Sequence, residues 1–425
     1  MAGKQQFRIC VLTAAHLAMC PRMVKAARTL AEEGYDVRVV SARYHDWPDE
    51  IDGDLTRRGG FRWQRVDVGR STAPLLHFAS GGRYRAARVL VELGGVQRAP
   101  LFLLARAFGR HHSELLRAVL SERQDLIYAG TGLALATGAE AARRQGVPYA
   151  LDLEDFHSAE QDDSPQSRLS HRLIERIEFE ILPGAAFLTA ASPAMAEAYA
   201  RKYGLQPRVL NNTFPLPTRA PDFSSNGDRL RLYWFSQTLG AGRGLEDAVL
   251  AIGQAGIRCE LHVRGVPRRG YMEQFREFVA EKAPNATLRH DLPAPDDPID
   301  LARGHDVGLA VEDGHVFNRS ICRTNKSFTY MLAGLAVVFT RTEGQADLAD
   351  SLGEGAVSYT PGDIAALAAH LKRWAGDPAA LRRAKEASWA AAQRRWRWDH
   401  PLERGALLDL VAKTLGGPAS DAASS

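Results

Sequence analysis

The sequence predicts an α/β protein built from two doubly wound, Rossmann-like parallel sheets. Three observations carry that expectation. Apolar runs of strand length alternate with helical periods nearly throughout the chain, the pattern of parallel strands covered on both faces. A proline-rich stretch interrupts the alternation near the middle, and a fresh alternation begins after it. The length of 425 residues exceeds that of a usual single domain.

In the first half, strands are expected at Phe7–Thr13, Asp36–Ala42, Phe61–Val68, Asp125–Ala129, Pro148–Leu153, Ala185–Ala190 and Arg208–Asn212. Helices fall between them at Pro21–Glu33, Leu133–Gln145, Arg168–Ile181 and Pro193–Lys202. Gly34 stands where a helix-terminating glycine belongs. The stretch from Phe214 to Asp228 holds three prolines and several turn formers. In the second half, strands are expected at Leu230–Ser236, Arg258–Val263, Ala286–Arg289, Asp306–Val311, Ala336–Thr340 and Ala356–Tyr359. Helices are expected at Leu245–Ala255, Tyr271–Lys282, Lys326–Ala333, Gln345–Leu352, Ile364–Ala375 and from Pro378 onward. The domains are therefore drawn as 1–215, a linker at 216–228, 229–400, a C-terminal helix at 401–415 returning to the first domain, and a disordered tail at 416–425.

Composition excludes several classes. A hydrophobic share of 45% and a charged share of 24% are those of a soluble globular protein. No apolar run approaches the roughly 20 residues that span a bilayer. The first residues lack the apolar core of a signal peptide, so a cytoplasmic protein is expected. Cys10, Cys20, Cys259 and Cys322 form no Cys-x-x-Cys pair, which argues against a zinc site. Asp162–Asp163 and Asp296–Asp297 are adjacent pairs on polar loops and read as caps or turns.

The net charge of +4 is unevenly placed: Arg57–Arg123 holds thirteen Arg against four Asp or Glu. Within it, Arg83–Leu93 and Ala99–Leu120 interleave Arg with apolar residues at helical spacing. Such a surface suits an anionic membrane or an anionic lipid-linked acceptor. It equally suits a surface helix whose Arg stems lie over a core. Nucleic acid is not expected, because no binding motif accompanies the charge.

Two strand–helix junctions of the second half point to an anionic ligand. The loop containing Gly240, Gly242, Arg243 and Gly244 lets backbone approach a phosphate, and the following helix start favours the anion. A sugar-nucleotide diphosphate, a dinucleotide or a plain tight turn would each fit. The G-x-G-x-G spacing, and a next strand ending in His262-Val263-Arg264 rather than an acid, weigh against a dinucleotide. Asn325 and Lys326 open a second helix, which runs into Gly334, and Lys326 is expected to offer a mobile charge there. Two cations aimed at one place suit a diphosphate leaving group.

In the first half, Asp152, Glu154, Asp155 and His157 follow a predicted strand. Glu154, Asp155 and His157 are candidates for catalysis by proton transfer or hydroxyl binding, with helix capping as the alternative. His16, in the loop after the first strand, is a weaker candidate for the acceptor.

The run Asn325-Lys326-Ser327-Phe328-Thr329-Tyr330-Met331, continuing through Gly334 to Val338, resembles the Asn-Lys-x-Phe-Glu-Tyr-Met segment of glycosyltransferase family 4. The Gly240–Gly244 loop, the strand Asp306–Val311, the helix and strand from Pro21 to Val39, and Ser192 to Asn212 are similar to further parts of that family. The resemblance implies a GT-B fold whose two domains face a cleft. It implies transfer of a sugar from a nucleotide-diphosphate sugar to a glycan, lipid-linked glycan or small molecule. Retention of configuration, with no metal or other cofactor, is implied as well. Two glutamates of the family pattern fall on Ile321 and Thr329, so Glu312, Ser320 and Thr329 are the candidates for donor nucleotide and sugar. Trp389, Trp396 and Trp398 resemble packing positions of the last helices, where the family's chain returns to the first domain. A sugar-nucleotide epimerase and a non-catalytic binding homologue are the rival expectations.

Overall fold

The computed structural model describes residues 6–160, 164–224, 229–294 and 297–416. Asp162, Asp163 and Asp296, the end of the predicted linker and the tail beyond Gly416 lie outside the described residues. The chain divides into two compact units, Met1–Leu210 with Arg404–Ser425, and Asn211–Glu403.

The first unit holds seven parallel strands: β1 (Arg8–Thr13), β2 (Asp36–Arg43), β3 (Arg62–Asp67), β4 (Leu126–Gly130), β5 (Tyr149–Leu153), β6 (Phe187–Ala190) and β7 (Arg208–Val209). Their order is β3-β2-β1-β4-β5-β6-β7. The direction of growth reverses at β1, which pairs with β2 on one side and β4 on the other. In such sheets the carboxyl ends of the strands at the reversal point are where ligands bind. Strands β1, β4 and β5 are buried along their apolar runs, as strands covered on both faces must be.

The second unit holds six parallel strands: β8 (Leu230–Leu239), β9 (Cys259–Pro267), β10 (Ala286–Asp291), β11 (Val307–Ala310), β12 (Ala336–Thr340) and β13 (Ala356–Tyr359). Their order is β10-β9-β8-β11-β12-β13, with the reversal at β8. The register between β8 and β9 slips between Phe235 and Thr238. An irregularity of this kind bends the strand, here just before the glycine-rich loop. One face of the sheet buries Leu232, Trp234, Leu261, Val263 and Leu309; the other buries Tyr233, Phe328, Tyr330, Val337 and Phe339. Each such side chain contributes roughly 1.5–3 kcal/mol of burial.

All thirteen expected strands form, with ends shifted by a few residues. The largest shift is at β9, which runs on to Pro267; next come β7, which is only two residues long, and β8, which runs on to Leu239. The region 99–120 is two helices, Leu101–Phe108 and His112–Leu120, rather than one period. Asp49–Arg57, Pro298–Ala302 and Phe317–Ile321 are short helices without a strong sequence signal.

The segment read as a linker packs within the second unit. Phe214, Leu216 and Phe223 lie against that unit's core. At Gly334, left-handed at φ +75°, a side chain would collide with Pro221. The three tryptophans also pack in the second unit, not on the first. Trp389 is buried in its core, Trp396 donates to Ser351 Oγ, and the Trp398 N–H donates to the Phe214 carbonyl. The return to the first unit comes later, with the helix Ala406–Thr414 against Pro21–Glu32.

Candidate functional site

In the second unit, the end of β8 turns through Gly240, Gly242, Arg243 and Gly244 into the helix Leu245–Ala255. Gly242 and Gly244 have φ of +75° and +73°, a region that L side chains rarely adopt. A Cβ on Gly244 would stand 3.0 Å from the Glu312 backbone nitrogen, so the loop runs tight along the end of β11. The loop is therefore a close-approach turn rather than a plain one.

Arginines surround it. The Arg319 guanidinium donates to the Gly242 carbonyl. The Arg268 stem packs over Gly240. Burial lowers the Arg243 guanidinium from its ordinary value; Glu312 and Asp313 oppose that shift, and Arg319 and Arg268 reinforce it. A guanidinium crowded by other cations gains most from an added anion. Arg243 also reaches Thr238 Oγ1 at 3.5 Å.

Lys326 is not the mobile charge that the sequence suggests. It is buried, and its Nζ donates to Glu312 Oε1 at 2.8 Å and to Thr324 Oγ1 at 3.2 Å. The Trp234 ring lies 5.6 Å beneath the ammonium. The second Glu312 oxygen, Oε2, is buried without a hydrogen-bond partner. Asn325 opens the helix Asn325–Ala333, with Thr324 as its cap. Arg243, Lys326, Glu312 and the glycine loop thus come together. Thr329 does not join them: it is fully buried and donates to the Asn325 carbonyl within its own helix. Its position is closed to a ligand. Ser320 donates to the Phe317 carbonyl on the short helix that also carries Arg319.

In the first unit, Asp152 is taken up structurally. Arg22 holds both its oxygens, at 2.7 and 2.5 Å, and Thr189 donates to it at 2.5 Å. Burial alone would raise its carboxyl, but Arg22 and Thr189 keep it below the ordinary range. Glu154 and Asp155 follow, both half-buried. Burial, then the neighbouring Asp155 and Asp152 charges, push Glu154 up to about 8. At neutral pH it is a protonated acid, able to donate. His157 is buried, with Nδ1 at 3.2 Å from Glu160 Oε2 and Nε2 without a hydrogen-bond partner. Burial lowers the imidazole, yet the Glu160 hydrogen bond and the charges of Glu160, Glu178 and Asp155 outweigh it and carry the value to about 9. Perturbed groups of this kind at strand ends mark functional sites more often than chance.

The cluster includes a turn that sequence reasoning missed. Gly130-Thr131-Gly132 joins β4 to the helix Gly132–Gln145. Among the described residues Thr131 is the one non-glycine with positive φ, at +80°. Its Oγ1 accepts from the Ala14 N–H at 3.0 Å, tying the ends of β1 and β4 together. A Cβ on Gly132 would lie 3.4 Å from His157 Nδ1. Strain held at a strand end is a common property of sites. The signal was a strand, Gly-x-Gly, then a helix.

His16 does not belong to this cluster. It is fully buried, with Nδ1 at 3.0 Å from Asp52 Oδ2. Its Nε2 accepts from the Tyr44 and His45 N–H groups, both at 3.1 Å, so Nδ1 is the atom that donates to Asp52. Both nitrogens are spent on fixing loops. Arg268 and Arg319 are the other residues that sequence reasoning missed; Arg319 adjoins Ser320, but no pattern singled it out. Among the described residues no group of three or more His, Cys, Asp or Glu could hold a metal ion.

Residues 19–212 match the family model described as a glycosyl transferase 4-like domain. No curated protein matches the chain by sequence. Solved structures match over nearly its whole length. Sucrose-phosphate synthase from Thermosynechococcus elongatus is 14% identical with a TM-score of 0.68, covering 97% of this chain and 100% of its own. Anabaena HepE in complex with UDP-glucose is 16% identical with a TM-score of 0.64, again covering 97% and 100%. A glycosyltransferase from Rickettsia africae is 10% identical with a TM-score of 0.61, covering 98% and 100%. Residues 19–212 therefore resemble a glycosyl transferase 4-like domain, and the chain as a whole has the GT-B fold of these structures, the fold that the sequence resemblance implies.

Proposed function

We propose that the chain transfers a glycosyl group from a nucleoside-diphosphate sugar to a hydroxyl-bearing acceptor, with retention of configuration. The observation that carries this reading is the gathering of Arg243, Arg268, Arg319 and Lys326 around the tight Gly240–Gly244 turn. Backbone N–H groups at the start of the following helix and several guanidiniums suit the charge that develops on a departing diphosphate. HepE, which shares the fold, is known in complex with UDP and with UDP-glucose. A UDP-sugar is therefore the first donor to test.

Glu312 holds Lys326 and keeps one oxygen in reserve, which suits a sugar or ribose hydroxyl. To the first unit we assign the acceptor. The protonated Glu154 can donate to a sugar oxygen, Asp155 can accept a proton, and the His157 imidazolium supplies positive charge beside them.

Calorimetric titration of UDP into the parent and Arg243→Ala proteins tests the diphosphate assignment. A charged hydrogen bond is worth roughly 1.5–3 kcal/mol, so affinity should fall roughly ten- to a hundredfold with little change in thermal stability. Equal affinity in the two proteins removes the diphosphate from this turn.

A further inference from the structure

The helix Pro74–Gly94 carries an apolar stripe on its solvent side. At 100° per residue, Leu75, Phe78, Ala79, Gly82, Ala86, Val89, Leu90 and Leu93 fall within about 60° of one line along the helix. All of them are exposed, Leu75 at 87% and Leu93 at 81%. The stripe runs for about 27 Å at 1.5 Å per residue. The opposite side of the helix, with Ser80, Ala87 and Val91, is buried, and Leu101–Phe108 packs beside it with Phe102 exposed. Core packing is thus already provided for by the other face, and a continuous exposed apolar stripe needs a partner.

Charge decides which partner. Arg85 sits at about 80° to one side of the stripe, where its long stem can lie along it and its head can reach outward; Arg83, at about 80° on the other side, is paired with Glu114. Glu92 is the one acid on the helix. Arg70 and Arg98, exposed beyond its two ends, are also cationic. Many other arginines of the basic region are committed elsewhere: Arg62 to Asp36 and Glu122, Arg65 to Asp67, Arg110 to the His77 carbonyl. A second copy of the chain is a poor occupant. The stripe is centred near residue 84, so antiparallel two-fold pairing would bring the two copies of Arg85 against each other. Its three arginines keep the helix from crossing a bilayer, and no described helix is apolar enough to do so.

We infer that this stripe is a membrane-docking face. The helix lies in the plane of an anionic lipid surface, with the leucines and Phe78 in the acyl boundary and Arg70, Arg85 and Arg98 among the headgroups. Both of the readings that the sequence left open for the basic region then hold, on different faces: apolar contact with lipid outside, packing on the unit inside.

The test is flotation of the full chain with vesicles of phosphatidylcholine alone and of phosphatidylcholine mixed with phosphatidylglycerol. The parent should bind the anionic vesicles roughly tenfold or more above the neutral ones. The Leu90→Asp/Leu93→Asp protein should lose roughly tenfold or more of that binding, and Arg85→Glu a smaller part of it. Unchanged thermal unfolding and UDP affinity would establish that the variants fold. Binding of the parent to neither vesicle, equal binding to both, or undiminished binding by the double variant would overturn the inference. So would light scattering that finds a dimer of the parent which the double variant abolishes, since the stripe would then serve a second copy.

Discussion

The two units share one architecture and carry opposite chemistry at their strand ends. In the second, the end of β8 meets Arg243, Arg268, Arg319 and Lys326, with Glu312 and Asp313 among them. In the first, the end of β5 gathers Glu154, Asp155, His157 and Glu160, and the turn that holds the strained Thr131 comes up against His157 at Gly132. A doubly wound sheet supplies the same mouth in both cases, and only the side chains at that mouth decide what enters. Burial, with Arg319 and Arg268 adding to it, pushes Arg243 down, and an anion would relieve that cost. Burial, and after it the Asp155 and Asp152 charges, push Glu154 up, which suits hydroxyls and protons.

The comparison is sharpest where a charge is already paired. Lys326 and Glu312 form a buried ion pair, so Lys326→Ala leaves a carboxylate stranded. That should cost about 3–5 kcal/mol of stability in addition to weakening UDP binding. Glu312→Gln in the same chain should restore most of the stability. If Lys326→Ala unfolds in urea at the same concentration as Arg243→Ala, the pair does not hold this end of β11. The counterpart in the first unit is His16. His16→Ala removes acceptors from the Tyr44 and His45 N–H groups and the partner of Asp52, and should cost about 1–3 kcal/mol. UDP titration should be unchanged, since His16 is structural. A His16→Ala protein as stable as the parent but inactive in sugar transfer would instead return His16 to the acceptor.

The smallest effect expected is that of pH, and it belongs to the first unit. His157 is raised from 6.5 to about 9, so the fold favours its charged form. That contribution is full below about pH 6.5 and is lost as pH rises through 9. Glu154, raised from 4.5 to about 8, loses its contribution over pH 4.5–8, in the same direction. Thermal midpoints should therefore fall by several degrees between pH 6.5 and 9.5, and His157→Gln should flatten the part above pH 8. A midpoint that rises over that range would contradict the charged imidazole.

Much of the fold was legible because strand and helix periods are local. The run Ala336–Thr340 and the period from Leu245 to Ala255 identify themselves within a dozen residues, and Gly34 and Gly334 mark the ends of helices. The glycine turn and Arg243 were legible for the same reason, as neighbours in sequence. What was not legible is partnership. Nothing near Lys326 in the chain says that Glu312, fourteen residues earlier, will take its charge. Nothing near His16 announces Asp52, Tyr44 and His45. Asp152 could be separated from Glu154 only by finding Arg22, 130 residues away.

By itself, then, the sequence determined the two sheets, the turns at their strand ends and the inventory of charges available there. Tertiary structure alone decided which of those charges were already spent. It buried Thr329 and His16, brought Arg268 and Arg319 to the glycine turn, and left the apolar stripe of Pro74–Gly94 facing outward. The physical reason is that backbone preference acts over a few residues, whereas the energy of an ion pair or a buried polar group depends on distance and desolvation, which exist only once remote segments have met.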